Sequence, residues 1–262
     1  MAEEPEGELT LEILDSEGSV VRTYSSTKPE KEENRIQPWL PKAAGMNKFI
    51  WDHKYAHGER VKGSPLHGPV PGILAPPGSY HVRLALKGED GWSHTQPLNL
   101  SKDPRVQMTD KQFADQFAQM QTWHAKMSEA QSTVNKIRSA ATQIDGWLER
   151  MADHAEIESL KEMGKSVKEQ LSGVEDVLIQ KKMKSFGDVL NHPYRLIERI
   201  STLPAVIGGS DNVPTVQSLE VLTELSGLID EQIGNLDEIM DTGLAAFNNK
   251  LKELQTPAVY IN

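Results

Sequence analysis

The chain carries eight histidines, 38 Asp and Glu residues and no cysteine. Acid–base or metal chemistry would therefore rest on imidazoles and carboxylates, while disulfides, thiol catalysis and thiolate metal sites are excluded. His53 and His57 stand four apart in "HKYAHGE", a spacing that on one helix face can hold a metal ion. The segment instead reads as a strand running into a glycine loop, which sends the two rings to different faces. His81 and His94 flank the turn "GEDG" (88–91) on strands that can pair across it; contact between the two rings stays open, and no third ligand is in view. His124 falls on an apolar helical stripe and reads as a core or interface histidine. Glu156, Glu158, Glu162, Glu169, Glu175 and Asp176 alternate with Lys161, Lys165 and Lys168 at helical spacing, which is the pattern of a solvated, ion-paired face. The nucleophile elbow G-x-S-x-G, the zinc helix H-E-x-x-H, the Walker loop and G-x-G-x-x-G do not occur. "IGGSDNVP" (207–214) follows a helix, not a strand, so its glycines do not read as a phosphate cradle. No catalytic residue, metal ligand or cofactor is assigned, and the chain is not expected to be an enzyme. Among the aromatics, Trp39, Trp51, Tyr55 and Trp92 precede the helices, and Trp123 and Trp147 lie on them. Trp92, just after the turn, is the candidate ligand-binding residue, because an exposed indole can stack on a sugar ring.

The elements that would position these residues change character along the chain. Over residues 1–107 the period is two. Leu9, Leu11 and Ile13 alternate with Thr10, Glu12 and Leu14, "DSEG" (15–18) gives a hairpin turn, and Val20, Arg22 and Tyr24 return. Residues 25–33 read as a solvated charged loop. "MNKFIWDHKY" (46–55) reads as a strand with Phe49 and Trp51 on one face. Pro76, Pro77 and Gly78 form a corner, with Gly78 expected at positive φ. A strand follows in which Tyr80, Val82, Leu84 and Leu86 share a face. Tyr80 is expected to be buried with its hydroxyl bonded at the rim. Pro97 places the returning strand at an edge. The expected fold of this part is an Ig-like antiparallel β-sandwich.

Residues 108–262 have the period of helices. Thr109 is the expected N-cap of a helix of about 40 residues that carries Phe113, Phe117, Met120, Val134, Ile144 and Leu148 on its stripe. A second helix holds Ile157, Leu160, Val167, Leu171 and Leu178. A shorter third segment holds Val189, Leu190, Leu196, Ile197 and Ile200 and breaks at Pro204. The last long helix opens at Thr215 and stops at Pro257. The expected architecture is α+β in two domains, 1–107 and 108–262, the second an antiparallel bundle of three long helices and one shorter one. A seam shared by two copies of the chain stays open.

Net charge is −10, which disfavours nucleic acid and anionic membrane surfaces as partners. No apolar run approaches the ~20 residues of a membrane span. "MAEEPEGELT" has no signal-peptide core, which suits either a cytosolic protein or part of a longer chain.

Three stretches in order, "GMNKFIWDHKY", "GPVPGILAPPGSYHVRLAL" and "SHTQPLNLSKDPR", resemble the FlgD-like Ig-type module near the C-terminus of bacterial BNR-repeat, sortilin-like "glycosyl hydrolase" proteins. Gly45, Asn47, Phe49, Trp51 and Asp52 match its first strand. Pro76, Pro77, Gly78, Tyr80, Val82, Arg83 and Leu84 match its second, and Asp103, Pro104 and Arg105 its boundary. "SFGDVLNHPYRLIERISTL" and "GSDNVPTVQSLEVLTELSGLIDEQI" are similar to the family's helical tail. The resemblance implies a non-catalytic accessory, scaffolding or interaction region of an exported (periplasmic or extracellular) β-propeller protein. Any hydrolase activity would lie in a propeller, whose Asp-box turns are not in this chain. The implied partners are that propeller or another protein; the alternative is a carbohydrate-binding module with a glycan partner. In this frame Trp51, Pro76, Pro77, Gly78, Tyr80, Asp103, Pro104 and Arg105 are structural residues.

Overall fold

A computed structural model describes residues 2–28, 37–64, 66–88 and 91–254. The expected charged loop at 29–33, the tip of the turn at Glu89–Asp90 and the helix stop at Pro257 lie outside the described residues. The fold is mixed α and β: one four-stranded antiparallel sheet precedes a series of helices. The chain divides into two compact units. One comprises Met1–Gly58, Pro69–His124 and Ala205–Thr215; the other comprises Glu59–Gly68, Ala125–Pro204 and Val216–Asn262.

In the first unit, strands β1 (Leu9–Leu14), β2 (Val20–Ser25), β3 (Gly78–Leu86) and β4 (Trp92–Leu100) are ordered β2-β1-β3-β4. The β1–β2 turn forms as its residues require. Asp15 Oδ1 accepts from the backbone N–H of Glu17 and Ser19 at 3.0 and 2.8 Å, and Gly18 takes φ 85°. Across β1 and β3, Glu12 faces Arg83, and the pair closes at 2.6 Å. The other face carries the core: Ile13, Val21, Tyr24, Trp51 and Tyr80, with Phe49, Tyr55 and Val82 packed against it. A register shift between Ile13 and Leu14 alters the β2 alternation. Val21 is thereby buried beside Arg22, and Val20 is half exposed at 51 %.

A second, irregular layer lies on this core. Tyr55 N–H donates to Ile73 O at 2.9 Å, Ala75 N–H to His53 O at 2.7 Å, and Gly58 N–H to Val70 O at 2.9 Å. The bonds are those of an antiparallel pair, yet only Lys54 and Leu74 form a bridge. His53, at φ 57°, turns the chain out of extended geometry. The strand expected over 46–55 therefore does not form, although Phe49 and Trp51 both reach the core. Arg22, 3 % exposed, ties the layer to β2, donating to Tyr55 O at 3.1 Å and to Gln37 Oε1 at 3.1 Å.

Helix α1 (Asp110–Arg150) has 41 residues, close to the expected length. Thr109 and Gln112 cap it reciprocally: Gln112 N–H donates to Thr109 Oγ1 at 3.3 Å and Thr109 N–H to Gln112 Oε1 at 2.8 Å. Phe117, on its first turns, lies 4.9 Å from the Tyr55 ring.

The second unit contains the remainder of α1, then α2 (Ile157–Leu178), a 3-10 turn at Phe186–Leu190 and α3 (Leu196–Ile200). After α4 (Pro204–Ile207), which begins at its edge, come α5 (Val216–Ile239), a π turn (Met240–Leu244) and α6 (Ala245–Glu253). Helix α2 packs against α5, α6 and α3. At Gly164 of α2 a Cβ would lie 2.9 Å from Ile144 of α1 and 3.4 Å from Phe247 of α6. The sequence pattern called for one uninterrupted last helix. The π turn breaks it, inserting a residue where Gly243 faces Val167 of α2; a Cβ there would lie 3.1 Å from Val167. Leu190, read as part of the shorter third segment, ends the 3-10 turn and is 90 % exposed.

Candidate functional site

Trp92 opens β4 opposite Leu86; it is half-buried, and its ring stands 5.2 Å from His94. Trp51 is buried and its Nε1–H donates to Lys54 O at 2.9 Å. Tyr80 is 4 % exposed and its hydroxyl donates to Pro76 O at 2.8 Å, so the prolines before β3 supply the acceptor that this buried phenol needs. Burial raises the Tyr80 pKa well above the ordinary phenol value. Gly78 corrects its expectation. It is the first residue of β3, paired with Leu100, and is not among the glycines at positive φ. The two prolines already make the corner with ordinary torsions, so no left-handed residue is required. Asp103 and Arg105 are paired at 2.6 Å within their own exposed turn. The Arg105 side-chain bond, aided by the Arg105 backbone N–H, holds the Asp103 carboxyl below its usual range.

His81 and His94 do not meet. His81 pairs with Pro97 and His94 with Leu84. An odd offset separates them, which places the rings on opposite faces of the sheet. Among the described residues no group of three His, Asp or Glu is arranged to hold a metal. His57 Nδ1 accepts from Gly72 N–H at 3.3 Å, and His124 Nε2 is buried without a hydrogen-bond partner. Burial, followed by the charge of the other polar groups around it, lowers both imidazole pKa values, and His57 is itself one of the groups acting on His124.

Two features of the second unit escaped the sequence reading. The first is a chain of three side chains. Ser64 Oγ lies 2.8 Å from His67 Nδ1, and His67 Nε2 lies 2.7 Å from Glu198 Oε1. Burial pushes the Glu198 pKa up, but the His67 bond and the N–H groups of Gln180 and Arg195 outweigh it and leave the group below its ordinary value. Against an ionised carboxylate, the facing His67 nitrogen is the donor: Nε2–H donates to Glu198. The order hydroxyl, imidazole, carboxylate is that of an activated nucleophile. The carboxylate is nonetheless spent on backbone: it accepts Arg195 N–H at 2.8 Å, capping α3, and Gln180 N–H at 3.1 Å. The chain thus ties the 61–67 loop, the end of α2 and the start of α3 together. Only the spacing Ser64-x-x-His67 was visible beforehand; Glu198 is 131 residues from His67.

The second is a cleft of about 510 Å³ walled by the later turns of α1, the π turn and α6, with residues 59–62 as its rim. Ile144, Phe247 and the half-buried Trp147 give it an apolar side. Ser139, Gln143 and Asn248 give it a polar one. Arg150 sits 5.2 Å from the Trp147 ring centroid and braces the indole. Asn135 pins the rim, accepting Lys62 N–H at 2.9 Å and donating to Arg60 O at 2.7 Å. Volume and mixed lining suit a small-molecule site. No helix among the described residues is long and apolar enough to cross a membrane. No family model, curated protein or solved structure matches the chain.

Proposed function

We propose that this chain is a non-catalytic interaction region, an Ig-like sandwich (1–107) followed by a helical bundle (108–262), which docks to the β-propeller of a larger exported protein or to another protein. The ordered motifs from "GMNKFIWDHKY" to Asp103-Pro104-Arg105 support the family reading, and the antiparallel bonds between 53–58 and 70–75 support a sandwich-like second layer. The observation that carries the non-catalytic reading is the fate of Glu198. That hydroxyl–imidazole–carboxylate chain ends in two backbone N–H groups and serves as a staple. The intact chain should not turn over p-nitrophenyl esters or glycosides above background, and His67→Asn should change nothing but stability. Turnover abolished by that variant would overturn the reading. Joined to a BNR propeller of the resembling family, the chain should melt at a higher temperature than alone; unchanged melting of both pieces would count against docking.

A second reading, glycan binding, is favoured by two half-buried indoles, Trp92 and Trp147, each beside polar side chains. A calorimetric panel of glycans separates it from the first.

A further inference from the structure

We infer that the Trp147 cleft is a binding site for a short acidic saccharide; this rests on the glycan-binding reading and moves its centre from Trp92 to the helical unit. The cleft has three properties that such a ligand requires. Trp147 offers an indole surface, whose electron-rich face attracts the weakly positive C–H face of a pyranose ring. Ser139, Gln143 and Asn248 offer hydroxyl and amide groups that both donate and accept, as sugar hydroxyls demand. Lys62 and Lys136 offer positive charge against the single carboxylate of Glu59.

The charge is unusual for this protein. The chain carries a net −10, and other lysines are neutralised, Lys161 of α2 by Glu158 and Lys181, just after that helix, by Asp176 at 2.7 and 2.8 Å. Lys62 and Lys136 have no ion pair among the described residues, so a carboxylate on the ligand would meet two uncommitted ammonium groups. The cleft is also built before a ligand arrives. Two hydrogen bonds to Asn135, and a third from Arg138 Nη1 to Lys62 O at 3.3 Å, hold the rim in place. A preformed rim reduces the ordering cost of binding. The π turn at Met240–Leu244 supplies part of the wall, and such turns in long helices frequently mark functional sites.

The test is titration calorimetry of the full chain with trigalacturonate and, as its neutral counterpart, cellotriose. Trigalacturonate should bind saturably, with at least tenfold higher affinity than cellotriose. Trp147→Ala should weaken it at least tenfold. Gln143→Trp, an exposed substitution that fills the mouth without disturbing the core, should do the same with an unchanged circular-dichroism spectrum. Lys62→Gln with Lys136→Gln should remove the preference for the acidic sugar, and Trp92→Ala should leave binding intact. Binding that survives both Trp147→Ala and Gln143→Trp overturns the site. Equal affinity for cellotriose overturns the acidic specificity. Loss on Trp92→Ala alone overturns the cleft while sparing the glycan reading, and no saturable binding of either sugar overturns the inference. A glycan panel that also gives no binding removes the glycan reading itself.

Discussion

Two glycines in one short stretch, Gly72 and Gly78, should respond oppositely to the same substitution. A Cβ on Gly72 would stand 2.1 Å from Tyr55 O and 3.0 Å from the Tyr55 carbonyl carbon. Neither is the end of a flexible side chain, so the backbone of the second layer must move. The movement strains the adjoining bond from Tyr55 N–H to Ile73 O. Overpacking of this kind costs about 1–3 kcal/mol, and a weakened backbone bond about 0.5–1.5 kcal/mol more. Gly72→Ala should therefore destabilise the first unit by roughly 2–4 kcal/mol, lowering its melting temperature by about 4–16 °C. Gly78 has ordinary torsions, and a Cβ there meets only Tyr80 Cε2, at 3.8 Å. Gly78→Ala should be neutral or stabilising by about 0.4–1 kcal/mol, through reduced freedom of the unfolded chain. Urea and thermal unfolding followed by tryptophan fluorescence, to which buried Trp51 contributes, measures both. A Gly78→Ala loss above about 1 kcal/mol, or a neutral Gly72→Ala, would refute the argument that close approach governs this corner.

Tyr80→Phe, by leaving Pro76 O without its donor, should cost about 1 kcal/mol, read as a shift of the urea midpoint. Glu198 acts on acid stability. Its folded pKa lies below the ordinary glutamate value, so the unfolded chain takes the proton first. Its contribution is full above about pH 4.5 and is lost as pH falls through the folded pKa; Glu198→Gln should lower stability at pH 7 by roughly 1.5–3 kcal/mol and flatten the acid limb of a stability–pH curve. The half-buried imidazoles of His57 and His124 have lowered pKa values. The unfolded state again protonates first, so melting temperature should fall as pH drops below about 6.5, and His124→Asn should reduce that fall. An unchanged pH slope in this variant would exclude His124 as a source.

How far the fold could be read depended on whether a residue's partner lay within the same element. The "DSEG" turn, the capping pair Thr109–Gln112 and the long α1 stripe are set by neighbours three or four residues away, and each forms as read. The corner was half legible. Tyr80 needed an acceptor and found it four residues back at Pro76, but the torsional role assigned to Gly78 is unnecessary, and the intolerant glycine is Gly72, whose constraint comes from Tyr55 across the layer. Burial of Val21 follows from a register shift that strict alternation does not contain. His81 and His94 missed each other because cross-strand identity depends on register, and an offset of one residue reverses the face.

The candidate sites lie at the far end of this scale. Ser64 and His67 are neighbours in sequence, yet the carboxylate that gives them meaning begins another helix. Its role there is itself ordinary: a glutamate at the third position of α3 bonding back to the Arg195 N–H. A capping glutamate is legible as a cap, but its second engagement with a distant imidazole is not. The Trp147 cleft has the same origin. Its polar rim, residues 59–62, lies between glycines in a stretch that carries no periodic signal, and is held by Asn135 from a helix 73 residues away. Its wall includes the π turn, where Gly243 faces Val167 with room for no more than a tight Cβ contact. Local chemistry therefore chose the elements, whereas every feature with potential to bind arises where elements distant in sequence satisfy one another's polar groups.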